Sequence, residues 1–169
     1  MTTKELLKTK MFADFYESAN NFCFHMESYN AQSSDDFLQT TRQKLLVLYD
    51  TALKFPNIDI ENAGDIDDKL EEKEFEKILF FISERLDNRY YWHVFDPSNQ
   101  VDTEPVCGDL LDDLGDIYKD LKRSILIFKM DTNESQETAV WQFKFYFEKH
   151  WGDHCINALM AMHFFSQQE

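Results

Sequence analysis

Apolar residues recur at steps of three and four along most of this chain, and few residues interrupt them. The stretch that begins at Thr3 places six apolar residues on one helical face: Met11, Phe15, Ala19, Phe22, Met26 and Tyr29. Glycine occurs four times and proline three times in 169 residues, whereas an all-β fold requires turn residues about every ten positions. The chain is therefore predicted to be all-α, a single-domain antiparallel bundle of about five long helices.

The helices are predicted over residues 3–29, 33–55, 66–86, 109–130 and 135–165. Ser33 or Ser34 caps the second helix, and Pro56 ends it because proline disfavours a helical conformation in the residue before it. Residues 30–34 are predicted as a turn and 57–66 as a polar connection. Residues 88–95 either continue the third helix or form a short separate one, and 98–108 form the longest loop. Ser135, alone or with Thr138, caps the last helix.

The predicted core faces follow the same spacing. The second helix carries Phe37, Thr41, Leu45, Leu48 and Ala52, the third Ile78, Leu79, Ile82 and Leu86, and the fourth Leu110, Leu114, Ile117, Leu121, Ile125 and Phe128. The last helix is apolar on most of its circumference, which is typical of a helix at the centre of a fold. We therefore expect the last helix to be central.

The charge and the cysteines limit the classes of partner. A net charge of −15 predicts no nucleic-acid partner and no binding to anionic membranes, because both require a basic surface. The longest apolar run, residues 78–82, is far shorter than a membrane span, and the N-terminus lacks the apolar core of a signal peptide. Cys23, Cys107 and Cys155 show no zinc-ribbon or disulfide spacing. A cytoplasmic protein with reduced thiols is expected.

One narrow stripe of the last helix is polar without being the usual lysine and glutamate surface. It holds Gln142, Tyr146, His150, Asp153, Asn157 and, at its edge, His154. His150 and His154 are four positions apart, so both imidazoles lie on one face. Three interpretations stay open: a solvated side of the helix, a polar ligand site, or a metal site, which requires a third protein ligand.

The fourth helix has an acidic edge made of Asp109, Asp113, Asp116 and Asp120. The edge is either a solvated face or a site for a divalent cation such as Mg²⁺, Mn²⁺ or Ca²⁺. Asp113 lies nearest the core boundary. Because bundle sites are built from facing helices, the candidate metal ligands are Asp113, Asp116, His150 and His154. The sequence fixes no cofactor, and a divalent cation is the only candidate.

An aromatic cluster lies at residues 90–95, where Trp92 is its largest side chain. Such clusters are core elements or the stacking wall of a pocket, so Trp92 joins the stripe residues as a candidate ligand contact. The chain has no glycine-rich phosphate loop, no dinucleotide-binding fingerprint and no GxSxG motif. Nucleophilic serine or cysteine chemistry therefore has no support in the sequence.

Three stretches resemble a bacterial family of helical proteins, the domain of unknown function 5063 family: YYWHVFDP at 90–97, GDLLDDLGDIYKDLKRSI at 108–125 and AVWQFKFYFEKHWGDHCINALMAMH at 139–163. The resemblance implies a helical fold but no activity. Its motifs point to Trp92, Asp96, Asp113, Asp116, Tyr118, Asp120, Lys122, His150, Trp151 and His154. A shorter match, DDLGDI at 112–117, is similar to the second metal motif of MazG-type nucleotide pyrophosphohydrolases. That family's first motif is not matched, because Glu71, Glu72 and Glu76 have a different pattern.

Two functional hypotheses follow. The first is a non-catalytic helical protein that binds a protein or small-molecule partner and forms a homo-oligomer. The alternative is a divalent-metal-dependent hydrolase, similar to a nucleotide pyrophosphohydrolase, in which the acidic fourth helix and the histidines of the last helix hold the ion. Convergence of these two helices is the observation that distinguishes them.

Overall fold

The computed structural model describes residues 1–29, 33–56, 58, 60, 63–101 and 103–167. Within them the fold is mostly helical, with a small antiparallel sheet. In chain order the elements are α1 (Thr3–Leu6), α2 (Lys10–Glu27), α3 (Ser34–Leu53), α4 (Glu72–Ser83), β1 (Tyr90–Val94), β2 (Pro105–Asp109), α5 (Leu110–Phe128), α6 (Asn133–Tyr146), a π-helical segment (Phe147–Trp151) and α7 (Gly152–Phe165). The predicted turn at 30–34 and connection at 57–66 lie partly outside the described residues.

The predicted first helix is interrupted at Thr9. The Thr9 hydroxyl donates to the Leu6 carbonyl at 2.7 Å and accepts from the Phe12 amide at 3.2 Å, so it ends α1 and caps α2. A threonine between two helical turns offers the backbone this alternative to a continuous helix. The predicted face is otherwise buried at Phe15, Ala19, Phe22 and Met26, while Tyr29 at its end is exposed.

The second helix matches its prediction. Ser33 caps α3 by accepting from the Asp36 amide at 3.1 Å, and the helix ends two residues before Phe55. The whole predicted face is buried: Phe37, Thr41, Leu45, Leu48 and Ala52. The third helix was predicted to begin near residue 66, but α4 begins only at Glu72.

The six residues that were wrongly predicted as helix contain two local turns. The carboxylate of Asp67 accepts from the Lys69 amide, and that of Asp68 accepts from the Leu70 amide. Lys69 has a positive φ of 59°, which a helix does not allow. Aspartate favours such side-chain turns over helix interiors, and this preference outweighs the apolar spacing here.

A β-hairpin replaces the helix-or-loop prediction for residues 88–108. β1 pairs with β2 in antiparallel register, with Tyr91 opposite Gly108 and Trp92 opposite Cys107. The aromatic residues of β1 and the β-branched Val94 and Val106 favour this conformation. Pro105 is at the first position of its strand, where a missing amide is tolerated. The fold is therefore mainly helical rather than purely all-α.

The last helical stretch begins at Asn133 because Thr132, not Ser135, is its cap. Thr132 accepts from the Ser135 amide, and the Ser135 hydroxyl in turn accepts from the Thr132 amide, both at 3.0 Å. The predicted last helix comprises α6, the π-helical segment and α7, which together pack against α5, α3 and α1, while α5 also packs against α2 and α4. The predicted apolar stripe of α5 is buried as far as Ile125.

One cluster of buried apolar side chains draws on all the helices, from Leu6 in α1 to Met162 in α7. The packing of α5 against both α6 and α7 sets the polar stripe of the last helical stretch beside the acidic edge of α5. Among the described helices, none is both long enough and apolar enough to cross a membrane.

Candidate metal centre

The carboxylates of the site come from one face of α5. Asp113, Asp116 and Asp120 follow one another at steps of three and four, so they lie along one side of the helix. The start of that helix is fixed by Asp109, whose side chain caps the Leu111 amide and forms an ion pair with Arg89. The hairpin therefore anchors the end of α5 that carries Asp113.

The imidazoles come from the π-helical segment and the first turn of α7. His150 lies in the segment, His154 lies in α7, and their ring centroids are 4.8 Å apart with planes at 76°. A π-helical segment contains one more residue per turn than the α-helix around it, and such segments are frequent at functional sites. Both rings face α5.

Each histidine is held by its own carboxylate through the Nδ1 atom. His150 Nδ1 lies 2.7 Å from Asp120 Oδ2, and His154 Nδ1 lies 2.8 Å from Asp113 Oδ1. A neutral imidazole that donates from Nδ1 to a carboxylate carries its free lone pair on Nε2. The two contacts therefore orient both Nε2 atoms as potential ligands.

Both Nε2 atoms point toward the carboxylate of Asp116. The Asp116 Oδ2 atom is 3.5 Å from His154 Nε2 and 3.9 Å from His150 Nε2, and the three candidate ligand atoms lie within 4.8 Å of one another. Two ligands bound to zinc at about 2.1 Å in tetrahedral geometry are about 3.4 Å apart. The observed separations, from 3.5 Å up to 4.8 Å, exceed that value by up to about 1.4 Å, so the three side chains would move closer together around an ion.

The carboxylates that support the histidines are more deeply buried than the candidate ligand His150. Asp113 is 4% exposed and Asp120 is 7% exposed, whereas the side chain of His150 is 44% exposed. The interpretation of the acidic edge as a solvated face is therefore wrong for Asp113 and Asp120. Burial raises the pKa of Asp120, and the hydrogen bond that His154 donates to the Asp113 carboxylate raises the pKa of His154.

A tyrosine of the hairpin also holds the Asp113 side chain in place. The Tyr91 hydroxyl donates to Asp113 Oδ2, so each oxygen of this carboxylate has a partner. Burial raises the pKa of Tyr91, which keeps its hydroxyl protonated. Asp113, which the sequence suggested as a ligand, thus stands behind His154 instead of beside the two Nε2 atoms.

The remaining predicted residues lie in different places. Gln142 accepts a hydrogen bond from Ser124 of α5 at 3.1 Å, and Tyr146 lines a cleft beside the histidines. Asp153 is exposed and Asn157 is half-buried, and neither belongs to the three-residue cluster found among the described residues. Trp92 is 72% exposed on β1 and does not line the cleft.

The cleft has a volume of about 330 Å³ and opens next to the cluster. Its lining residues are Asp116, Lys119, Asp120, Arg123, Phe145, Tyr146, Lys149 and His150. Asp120 belongs to the acidic edge predicted from the sequence, but its contact with His150, the role of Tyr91 and the cations of the cleft were not predicted. The step of four from Asp116 to Asp120 was a usable sign, whereas Tyr91 depends on the unpredicted hairpin.

Comparison with known proteins finds a solved structure of similar fold and identifies the family. The crystal structure of protein BF1032 from Bacteroides fragilis superimposes with a TM-score of 0.75 at 22% sequence identity, over 93% of this chain and 95% of that one; the likeness supports the fold alone. A search of curated proteins gives no match. The family model for a domain of unknown function, DUF5063, matches residues 7–168, and the chain belongs to this family.

Proposed function

We propose that this chain is a divalent-metal-dependent hydrolase whose ion is held by Asp116, His150 and His154. The observation that carries the proposal is the pair of buried carboxylates, Asp113 and Asp120, each held against the Nδ1 atom of a histidine whose Nε2 faces Asp116. A ligating histidine in a metal site usually donates its other ring nitrogen to a carboxylate or carbonyl in this way.

The ligand set indicates which ions fit. Two imidazoles and one carboxylate suit first-row transition metals such as Zn²⁺, while Mg²⁺ and Ca²⁺ prefer oxygen ligands. Three protein ligands also leave coordination positions for water or substrate, as in catalytic zinc sites. An ion in such a site lowers the pKa of a bound water and makes it a nucleophile near neutral pH.

Metal binding by the full chain tests this proposal. We expect calorimetry on metal-free protein to give one site for Zn²⁺, and Co²⁺ to give the visible absorption of a low-coordinate complex. His150→Gln and His154→Gln remove the site, whereas His163→Gln, at an exposed histidine of α7, is the matched control and leaves it intact. Absence of Zn²⁺ binding, or equal binding by His154→Gln and wild type, contradicts the proposal.

The non-catalytic binding protein remains the second candidate, and exposed apolar side chains on α3 favour it. Leu46, Val47 and Leu53 are each more than half exposed, which suits a contact with another protein or a second copy of the chain. Size-exclusion chromatography with light scattering tests for the homo-oligomer. A strict monomer without a partner counts against this candidate, as does metal-dependent hydrolysis.

We also propose how the helices are arranged and in which compartment the protein lies. We infer one antiparallel bundle in a single domain, because α5 packs against four other helices around one core. We place the protein in the cytoplasm because Cys23, Cys107 and Cys155 are all free thiols, which is usual in a reducing compartment.

A further inference from the structure

The cleft beside the candidate ligands has two walls of unlike origin. One wall is a face of α5 and the other is the junction of α6 with the π-helical segment. Asp116 and His150 belong to both the cleft and the ligand cluster. A molecule in the cleft therefore lies within reach of an ion bound there.

The cleft gathers cations in a strongly acidic protein. The chain carries only 17 Lys and Arg against 32 Asp and Glu, yet Lys119, Arg123 and Lys149 all line this cleft. A group of three cations in a chain with this balance indicates an anionic ligand more than general surface charge.

Two of the cations are available for a ligand. Lys149 is exposed and has no ion pair within the described part of the chain. Arg123 contacts Asp68 through its Nε atom at 3.2 Å, which leaves the two terminal nitrogens of the guanidinium for a ligand. Lys119 lies 5.1 Å from the centroid of the Phe75 ring and adds charge from the edge of the cleft.

The charge of the loaded site matches a phosphate group. A divalent ion and three cations carry more charge than three carboxylates, Asp116 and Asp120 of the cleft and Asp68 beside Arg123, so the net local charge is positive. Phosphate carries nearly two negative charges at neutral pH. The planar fork of arginine binds phosphate through two oxygens, and a metal ion takes a further oxygen.

The wall of the cleft formed by the end of α6 includes the aromatic ring of Phe145, which is next to Trp141. The ring of Phe145 stacks on that of Trp141 at 4.7 Å between centroids and 17° between planes, and both side chains are 40% exposed. An exposed aromatic surface beside an anion site suits a planar ring on the ligand.

We propose that the substrate is a phosphate ester of an aromatic or heterocyclic alcohol, whose phosphate lies between the metal centre and Lys149 and Arg123. This inference rests on the proposed metal centre. In the reaction the oxygen of a water molecule bonds to phosphorus and the ester P–O bond breaks. The leaving oxygen takes one proton of the water, so ester and water yield phosphate and alcohol.

Inorganic phosphate is the first probe, titrated by calorimetry into the full chain loaded with one equivalent of Zn²⁺. We expect Lys149→Ala to weaken phosphate binding about tenfold or more, the usual effect of losing one charge-assisted hydrogen bond, with unchanged Zn²⁺ affinity. Lys73→Ala, at an exposed lysine of α4, removes the same charge elsewhere and should match wild type. Acetate should bind at least tenfold more weakly than phosphate.

Hydrolysis of p-nitrophenyl phosphate is the second measurement. We expect turnover that requires the metal, falls in Lys149→Ala, and shows a raised KM in Phe145→Leu while inorganic phosphate still binds that variant. Protein that binds Zn²⁺ but not phosphate, or binds phosphate equally in wild type and Lys149→Ala, overturns the inference and leaves the metal centre standing. Protein that binds no Zn²⁺ overturns the proposed function itself.

Discussion

The Nδ1 atom of His154 lies 2.8 Å from the Oδ1 atom of Asp113, although the two residues are 41 positions apart in the chain. Asp113 is buried and His154 is partly exposed, so the contact runs from the interior toward the cleft. An imidazole fixed in this way presents Nε2 outward without further ordering when a ligand arrives.

Asp113→Asn tests this support directly. The asparagine keeps the size of the side chain but removes the negative charge that makes His154 a stronger donor of electrons to a metal. We expect Zn²⁺ binding to weaken about 10- to 100-fold, the usual cost of losing such a partner, with all three proposed ligands still present. Calorimetry or competition with a chelator measures the change.

Asp112→Asn is the matched control for that variant. Asp112 is the neighbouring exposed carboxylate on the same turn, and it makes no hydrogen bond to either histidine within the described structure. Its removal should change Zn²⁺ affinity less than threefold. Equal effects of the two substitutions would mean that only the overall negative charge matters.

The helical part of the fold was predictable because its information is local. Apolar spacing within α3 and α5 identified the buried faces correctly, from Phe37 to Ala52 and from Leu110 to Ile125. The errors occur where a polar side chain or a distant strand determines the local secondary structure. Thr9 divides a helix, Asp67 forms a turn, and β1 requires pairing with β2.

The site was predictable only in part, for a related reason. Helical spacing placed Asp113 and Asp116 on one edge and His150 and His154 on one stripe. The same spacing cannot say which carboxylate becomes buried, since the burial of Asp120 depends on how α5 packs against the π-helical segment. The supporting roles of Asp113 and Asp120 therefore emerge only from the three-dimensional contacts.

Gly152→Ala should disrupt the π-helical segment that carries His150. A Cβ atom at position 152 would lie 2.2 Å from the carbonyl oxygen of Phe147, a backbone atom of that segment. The clash cannot be relieved by a side-chain rotation, so we expect a loss of about 2 kcal/mol or more in the free energy of unfolding and weaker Zn²⁺ binding. Urea denaturation and calorimetry measure these effects.

The control for that substitution is Gly64→Ala. There the added Cβ would meet only the carboxylate end of the exposed Glu134, at 2.6 Å, and that flexible end can move away. Its stability should stay within about 0.5 kcal/mol of wild type. A Gly152→Ala protein that is as stable as Gly64→Ala would show that the segment does not require glycine, since alanine is otherwise the better helix former.

His25 should make the stability of the fold depend on pH. Burial, followed by the nearby charges of Arg85 and Lys44, lowers the pKa of His25 to about 4. The unfolded chain, with a histidine pKa of about 6.5, therefore binds a proton that the folded chain does not. The contribution of neutral His25 to the free energy of unfolding is fully present above about pH 6.5. Roughly 3 kcal/mol of it is lost as the pH falls toward 4.

His25→Gln isolates this effect, because glutamine does not titrate and still offers a hydrogen-bonding group to Thr41, which lies 3.0 Å from the histidine Nε2. Urea denaturation at pH 7 and pH 4.5 should show a smaller loss of stability in this variant than in wild type. His163→Gln, at an exposed histidine, should follow the wild-type profile. Parallel profiles for all three proteins would show that His25 titrates normally when folded.

Tyr91→Phe should reveal how far the hairpin supports the site. The substitution removes the hydroxyl that donates to Asp113 Oδ2 and leaves the ring, which packs closely over Gly108 of the opposite strand. A buried carboxylate oxygen without its donor should cost about 1 to 2 kcal/mol of unfolding free energy. It should also loosen Asp113, so Zn²⁺ affinity should fall, but less than in Asp113→Asn.

Tyr90→Phe, at the exposed tyrosine one position earlier on the same strand, should change neither quantity. If Tyr91→Phe and Tyr90→Phe behave alike, the hairpin anchors α5 through Arg89 and Asp109 alone, and the hydroxyl of Tyr91 has no part in orienting His154.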